Sequence, residues 1–352
     1  MNRRLNHAIA IGALLFGAIA ARSVFAADEP TADDLLRARG LERVGHVWCL
    51  PAEADLRERM GGLEHVEQRL LSAQQAVDQI VGPNEVARQR IAQLTQIAQQ
   101  SQALATSAKQ GTAEKIQFEV QAKQAAAALE GGKRQYVVPA QLGLSPPLKT
   151  ALSDLANVRT DSMLRLLPVR EEIDDLNGRY DSLRHDKSVA AEIRSTGQQE
   201  SLGPLKNFRD EERFIDKLQP LVFSESLPIV REGPFYRVTA IVNERQPLTF
   251  SYMGTGGQPT LIPQNLAEAA GLAIDEHAAK IKVPVGGGRE EMAWPTKVRQ
   301  LRFGRHVVRD VEAYILPPEA ADLGARISAA ALPGYHVQLD TDRLTLTVGG
   351  GK

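Results

Sequence analysis

Apolar residues follow two different rhythms along the chain, and the change between them divides it. From Leu63 the spacing is helical: Leu63, Val66, Leu70, Ala73, Val77 and Ile80 recur in alternating steps of three and four, and Asn84, Ala87, Ile91, Leu94 and Ala98 continue in phase. Gly82-Pro83 predicts a kink in this run. A second seam runs Leu148, Leu152, Leu155, then Leu166, Val169, Ile173, Leu176, Tyr180 and Leu183, weakened at Arg159 and Ser162 and interrupted at Pro168. Between the seams, Gly131 to Pro147 is rich in glycine and proline and is the natural reversal point. The pattern predicts an α-helical coiled-coil hairpin within residues 63–220. It follows a small N-terminal segment, 28–62, with a helix over Ala32 to Gly40 and a strand over Val44 to Leu50.

Beyond residue 228 the period shortens to that of strands. Phe235 to Asn243 alternates, with Tyr236, Val238, Ala240 and Val242 on one side. Strands are predicted at Leu248 to Met253, Thr260 to Ile262, Ile281 to Val285, Lys297 to Phe303 and Val307 to Leu316. Tyr335 to Val348 reads as a hairpin turning at Asp340 to Arg343. A short helix begins after Pro263 and ends at Gly271-Leu272. Many short strands with one or two helices predict a small closed β domain over 228–348.

Met1 to Ala27 has the layout of a secretory signal, with Arg3-Arg4, an uncharged stretch over Ala8 to Ala21, and small residues before the cleavage point. The apolar stretch falls short of the roughly 20 residues that span a bilayer. The prediction is therefore an exported chain, periplasmic or extracellular, with no membrane span after cleavage; a retained anchor is the alternative.

Composition removes several functions. With 42 basic and 43 acidic residues and no basic block, the chain is not built to coat nucleic acid. Its one cysteine, Cys49, excludes an internal disulfide framework and a four-cysteine zinc site. The seven histidines show no paired metal-ligand spacing, so no metal and no cofactor are predicted.

The candidate chemistry lies at Gly254-Thr255-Gly256-Gly257. As a phosphate cradle it lacks the following Lys-Ser/Thr and is separated from its helix by Pro259. Its surroundings are more specific: an apolar strand ending at Met253, a Thr-Gly turn, Thr260-Leu261-Ile262-Pro263, and a helix. This string resembles the active-site segment of retropepsin-like aspartic proteases, in which the incoming strand leads into Asp-Thr/Ser-Gly-Ala. Ile281 to Trp294, with Gly286-Gly287-Gly288, falls where that family carries its flap, and Tyr335 to Leu346 resembles its terminal strands. The upstream arrangement is similar to exported bacterial proteins that carry this domain behind a predicted coiled coil. The resemblance implies an all-β acid-protease barrel with a short helix, paired as a homodimer; the heptads offer a second interface.

It also implies two carboxylates that share a proton, one as base and one as acid. Aligning Thr255 and Gly256 with the motif places Gly254 where the Asp belongs and Gly257 where Ala is usual. Residues 245–267 contain no Asp or Glu to replace it. A second departure is Arg326-Ile327-Ser328, where the family has a Leu-Leu-Gly turn. The leading expectation is a non-catalytic peptide- or protein-binding module on a coiled-coil stalk. Its cleft would be formed by Met253, Gly254, Thr255 and Gly256 and by the flap glycines Gly286, Gly287 and Gly288, with no catalytic residue. An active aspartic endopeptidase with a carboxylate from elsewhere, and a structural oligomerisation protein of the cell envelope, are the alternatives.

Overall fold

The computed structural model describes residues 30–350 except 255 and 276. The proposed signal and Thr255 therefore lie outside the described residues.

The chain opens with α1 (Ala32–Ala38). Thr31 and Asp34 cap it reciprocally: the Thr31 hydroxyl accepts the Asp34 N–H, and the Asp34 carboxylate accepts the Thr31 N–H at 3.1 Å. The strand expected over Val44 to Leu50 is instead a hairpin of β1 (Glu42–Val44) and β2 (Val47–Cys49), because Gly45, at φ 62°, permits a tight turn near the start of the run. Then come α2 (Ala52–Gly61), α3 (Val66–Ser107), α4 (Ala113–Gln135), α5 (Pro139–Leu142), α6 (Pro146–His185) and α7 (Lys187–Thr196). A short strand, β3 (Ser201–Leu202), pairs in parallel with β2. The N-terminal segment is thus completed by residues more than 130 positions later and is not a separate unit.

The helical region departs from the predicted hairpin. The chain reverses at residues 108–112, not at Gly131 to Pro147, and α4 returns along α3. Helix α3 continues through Pro83, and α6 through Pro168. Gly132 lies within α4, where a Cβ would sit 3.4 Å from the Ile91 side chain, so the glycine lets the two helices approach closely. Asn84 ties α3 to the connection after α4: its side chain donates to the Val137 carbonyl at 2.9 Å and accepts the Val137 N–H at 2.8 Å. The lower half of α3 packs on α6, where both seams are used within the chain. Among the described residues, no helix is long and apolar enough to cross a membrane.

One helical core gathers Leu36, Trp48, Leu56, Leu63, Leu70, Leu166, Ile173 and Leu176 with Leu218 of α8 (Arg209–Val222). At its edge sits a buried polar knot. Glu53, 1% exposed, accepts the Tyr180 hydroxyl and the Leu205 N–H at 3.1 Å. The Tyr180 oxygen in turn accepts the Leu50 N–H at 2.7 Å. Burial, and then the bond to Glu53, push the Tyr180 phenol well above its usual pKa, so it stays a proton donor. A Cβ at Gly203 would meet the Tyr180 oxygen at 2.9 Å, which explains a glycine there.

The remaining strands are β4 (Ser226–Pro228), β5 (Val230–Glu232), β6 (Phe235–Val242), β7 (Gln246–Tyr252) and β8 (Thr260–Pro263). After α9 (Gln264–Ala269) come β9 (Ile281–Gly286), β10 (Arg289–Phe303), β11 (His306–Leu316), β12 (Arg326–Ile327), β13 (His336–Asp340) and β14 (Thr345–Gly349). They do not all join one barrel. Eight form a sheet in the order β5-β6-β7-β12-β8-β11-β10-β9, with a further pairing of β6 to β10 that brings the order back on itself. The terminal strands form a separate sheet, β13-β14-β4.

That smaller sheet joins the β region to the helices. Leu227, Ile229, Leu344 and Leu346 share a core with Val77, Leu148, Leu152 and Leu155 of α3 and α6. Arg159, the weak point of the second seam, donates to the Ser226 carbonyl at 3.0 Å across this boundary, and burial lowers its guanidinium pKa. The α6 seam thus serves partly as the floor of the β region.

Candidate functional site

Strand β7 runs Gln246 to Tyr252 with Leu248, Phe250 and Tyr252 buried, and it delivers the chain to Met253 and Gly254. The next strand, β8, is buried throughout and leaves parallel to β11. Between β7 and β8, the short β12 inserts parallel to β7 and antiparallel to β8. Its backbone holds the loop: the Met253 N–H donates to Ile327 at 2.7 Å, and the Ala329 N–H donates to Gly254 at 3.0 Å. The Ser328 hydroxyl, fully buried, donates to the Gln258 carbonyl at 2.6 Å. The loop is clamped at both ends by the segment flagged in the sequence as a departure.

Gly254 sits at φ 76° with nothing within 4 Å of where a Cβ would be. A side chain has room there but not an easy backbone, since the left-handed region costs a non-glycine residue roughly 1–2 kcal/mol. Gly256 and Gly257 likewise face open space. A hollow of about 450 Å³ opens beside the loop, walled by Gln258, Pro259, Thr260, Arg309, Glu312 and Ala331. It lies against β11, not under the flap.

The flap is a hairpin. Gly286 pairs with Arg289, leaving Gly287 and Gly288 as the two turn residues at φ 62° and 74°. A two-residue turn with both centres at positive φ suits the twist of antiparallel strands, and glycine adopts it without strain. Val283, Val285 and Ala293 bury the base of the hairpin against Leu261, Leu316 and Ala320. Arg326 ties it down from the sheet side, with Nη1 donating to the Val285 carbonyl and Nε to Leu323 at 3.1 Å. Burial, and next the charge of Arg289, lower the Arg326 pKa, while Asp322 opposes them.

Residues 238–324 match the family of gag-polyprotein putative aspartyl proteases. The segment is retropepsin-like. Among solved structures, a retropepsin-like aspartic protease from Rickettsia conorii matches at 16% identity and a TM-score of 0.27, over 35% of this chain and 89% of that one. No curated protein matches the chain significantly.

Within the retropepsin-like segment, Met253, Gly254 and Gly256 occupy one loop, and Gly286 ends the flap strand whose turn is Gly287-Gly288. Sequence reasoning missed how Arg326, Ser328 and Gln258 would act. For Arg326 and Ser328 the signal was present only as a polar residue on either side of Ile327, and Gln258 carried none. Elsewhere, Cys49 is a buried free thiol whose pKa is raised chiefly by burial, and Asp340 accepts the Asp342 and Arg343 N–H groups in its hairpin turn. Among the described residues, no group of three His, Cys, Asp or Glu is placed to hold a metal ion.

Proposed function

We propose that the protein is an exported, non-catalytic member of the retropepsin-like group, whose β region holds an extended peptide or an unfolded stretch of a partner protein in the cell envelope. The observation that carries this reading is Gly254, at the position where the resemblance requires the acid-base carboxylate. No Asp or Glu lies between residues 245 and 267 to take its place. General acid-base catalysis needs a group that can accept and return a proton within hydrogen-bond reach of the water, and a glycine has none. Its positive φ extends the argument to the backbone, which is set for glycine as well as lacking the acid.

The binding half of the proposal draws on what remains. The loop braced by β12, the glycine-turned flap and the edges of the strands between them suit an extended chain, which gains affinity from main-chain hydrogen bonds and specificity from alternate side chains. The helical region would act as the stalk that carries the site. Equilibrium retention of labelled, extended peptides by the mature chain tests the reading. Retention should weaken when Gly287→Val strains the flap turn. Failure of the natural chain to retain any peptide would remove the proposal.

A further inference from the structure

The side of β12 that faces the loop and flap carries a cation. Ile327 is buried in the main core, so by alternation Arg326 and Ser328 point to the opposite face. On that face Ser328 reaches the Gln258 carbonyl in the loop and Arg326 reaches the Val285 carbonyl in the flap strand. The guanidinium Nη1 also lies 3.6 Å from the position of a Cβ on Gly286, where the flap begins its turn. Arg326 thus stands between the two halves of the proposed cleft.

A guanidinium has five N–H donors, and the two bonds to Val285 and Leu323 use one on Nη1 and the one on Nε. Among the described residues, the Nη2 group donates to none. Among the described residues Arg326 forms no ion pair; Asp322 acts on it only as a nearby charge, and Arg289 of the flap, itself paired with Glu291 at 3.0 Å, is a second charge in its surroundings. A half-buried arginine held by two carbonyls, with donors to spare on Nη2, is suited to a carboxylate, which accepts strong charge-assisted hydrogen bonds from it.

We infer that Arg326 gives the cleft a carboxylate-recognition point, so that the peptide it takes is anionic: either a free C-terminus or an Asp or Glu side chain. The inference rests on the peptide-binding reading above and names its ligand class. It also joins the two departures of the sequence, for a cleft that has lost a carboxylate at Gly254 and carries a cation at Arg326 has exchanged acid chemistry for anion recognition.

Three labelled peptide pools test it by fluorescence anisotropy with the full mature chain. The first lacks Asp and Glu and is amidated; the second has the same composition with a free C-terminus; the third is amidated with a central Glu. The natural chain should favour the second or the third pool over the first by about tenfold or more, the range of a charge-assisted hydrogen bond. Which of the two it favours identifies the source of the carboxylate. Arg326→Gln should bring that ratio close to one, and Arg326→Lys should keep part of it. Equal binding of all three pools by the natural chain overturns the inference and leaves peptide binding standing. An unchanged ratio in Arg326→Gln also overturns it. Loss of all binding by Arg326→Gln with a native circular dichroism spectrum would make Arg326 only a flap latch. No binding of any pool by the natural chain would remove both readings.

Discussion

Tyr180→Phe removes one oxygen from the buried knot that joins the N-terminal segment to α6. Two bonds are lost at once: the phenol no longer donates to Glu53 and no longer accepts the Leu50 N–H. The Leu50 amide is then a buried donor with no acceptor, which costs about 1–3 kcal/mol. Glu53 keeps the Leu205 N–H, and Arg57 at 3.6 Å, so its own loss is smaller. The expected total is about 2–4 kcal/mol from the helical body, a large share of the stability of a typical domain. The assay is urea unfolding followed by Trp48 fluorescence in a Trp294→Phe background, because Trp48 lies in the helical core and Trp294 in the β-region core. A double-mutant cycle with Glu53→Gln should return a coupling of the order of 1 kcal/mol or more, since the two side chains share one bond. A Tyr180→Phe chain within about 0.5 kcal/mol of the parent would show that the knot does not hold the segment in place.

Two further outcomes follow from local geometry. Gly304→Ala should destabilise the β region by more than about 1–2 kcal/mol, because its Cβ would collide with the Ser224 carbonyl and its φ of 55° disfavours a side chain; the loss of Trp294 fluorescence in urea measures it. Burial, and then Arg305, hold the His306 imidazole below its usual 6.5, so the stability it carries is present above about pH 6.5 and is lost as the pH falls through the lowered folded value. His306→Gln should flatten that part of the acid slope in urea midpoints taken either side of pH 6.5, and an unchanged slope would refute the assignment.

The strands of the β region were legible because one face of each is buried. Val238, Ala240 and Val242 show the alternation directly, and Ile241 breaks it because its other face meets the helical core. The flap turn was legible as three consecutive glycines. Helix α4 was hidden for a physical reason: its seam of Lys115, Phe118, Ala122, Ala125, Leu129 and Gly132 keeps the three-four spacing but begins on a charged residue, ends on a glycine and has two alanines at its centre. Gly131-Gly132 looked like a break and is instead a point of close approach to Ile91. The completion of the N-terminal segment by β3 left no local mark, because a two-residue parallel pairing at that separation has no period to read. Around Gly254, the lack of Asp or Glu in residues 245–267 was plain in the sequence, whereas the contact of Arg326 with Val285 joins residues 41 positions apart.

Peptide-bond cleavage tests the central claim most directly. The purified protein is incubated with a diverse peptide pool from acidic to neutral pH, and mass spectrometry records any new termini. The account predicts none at any pH, because the chain has Gly254 where the reaction needs a carboxylate. New termini that vanish with an aspartic-protease inhibitor would contradict it, and would place a working acid-base pair elsewhere in the molecule.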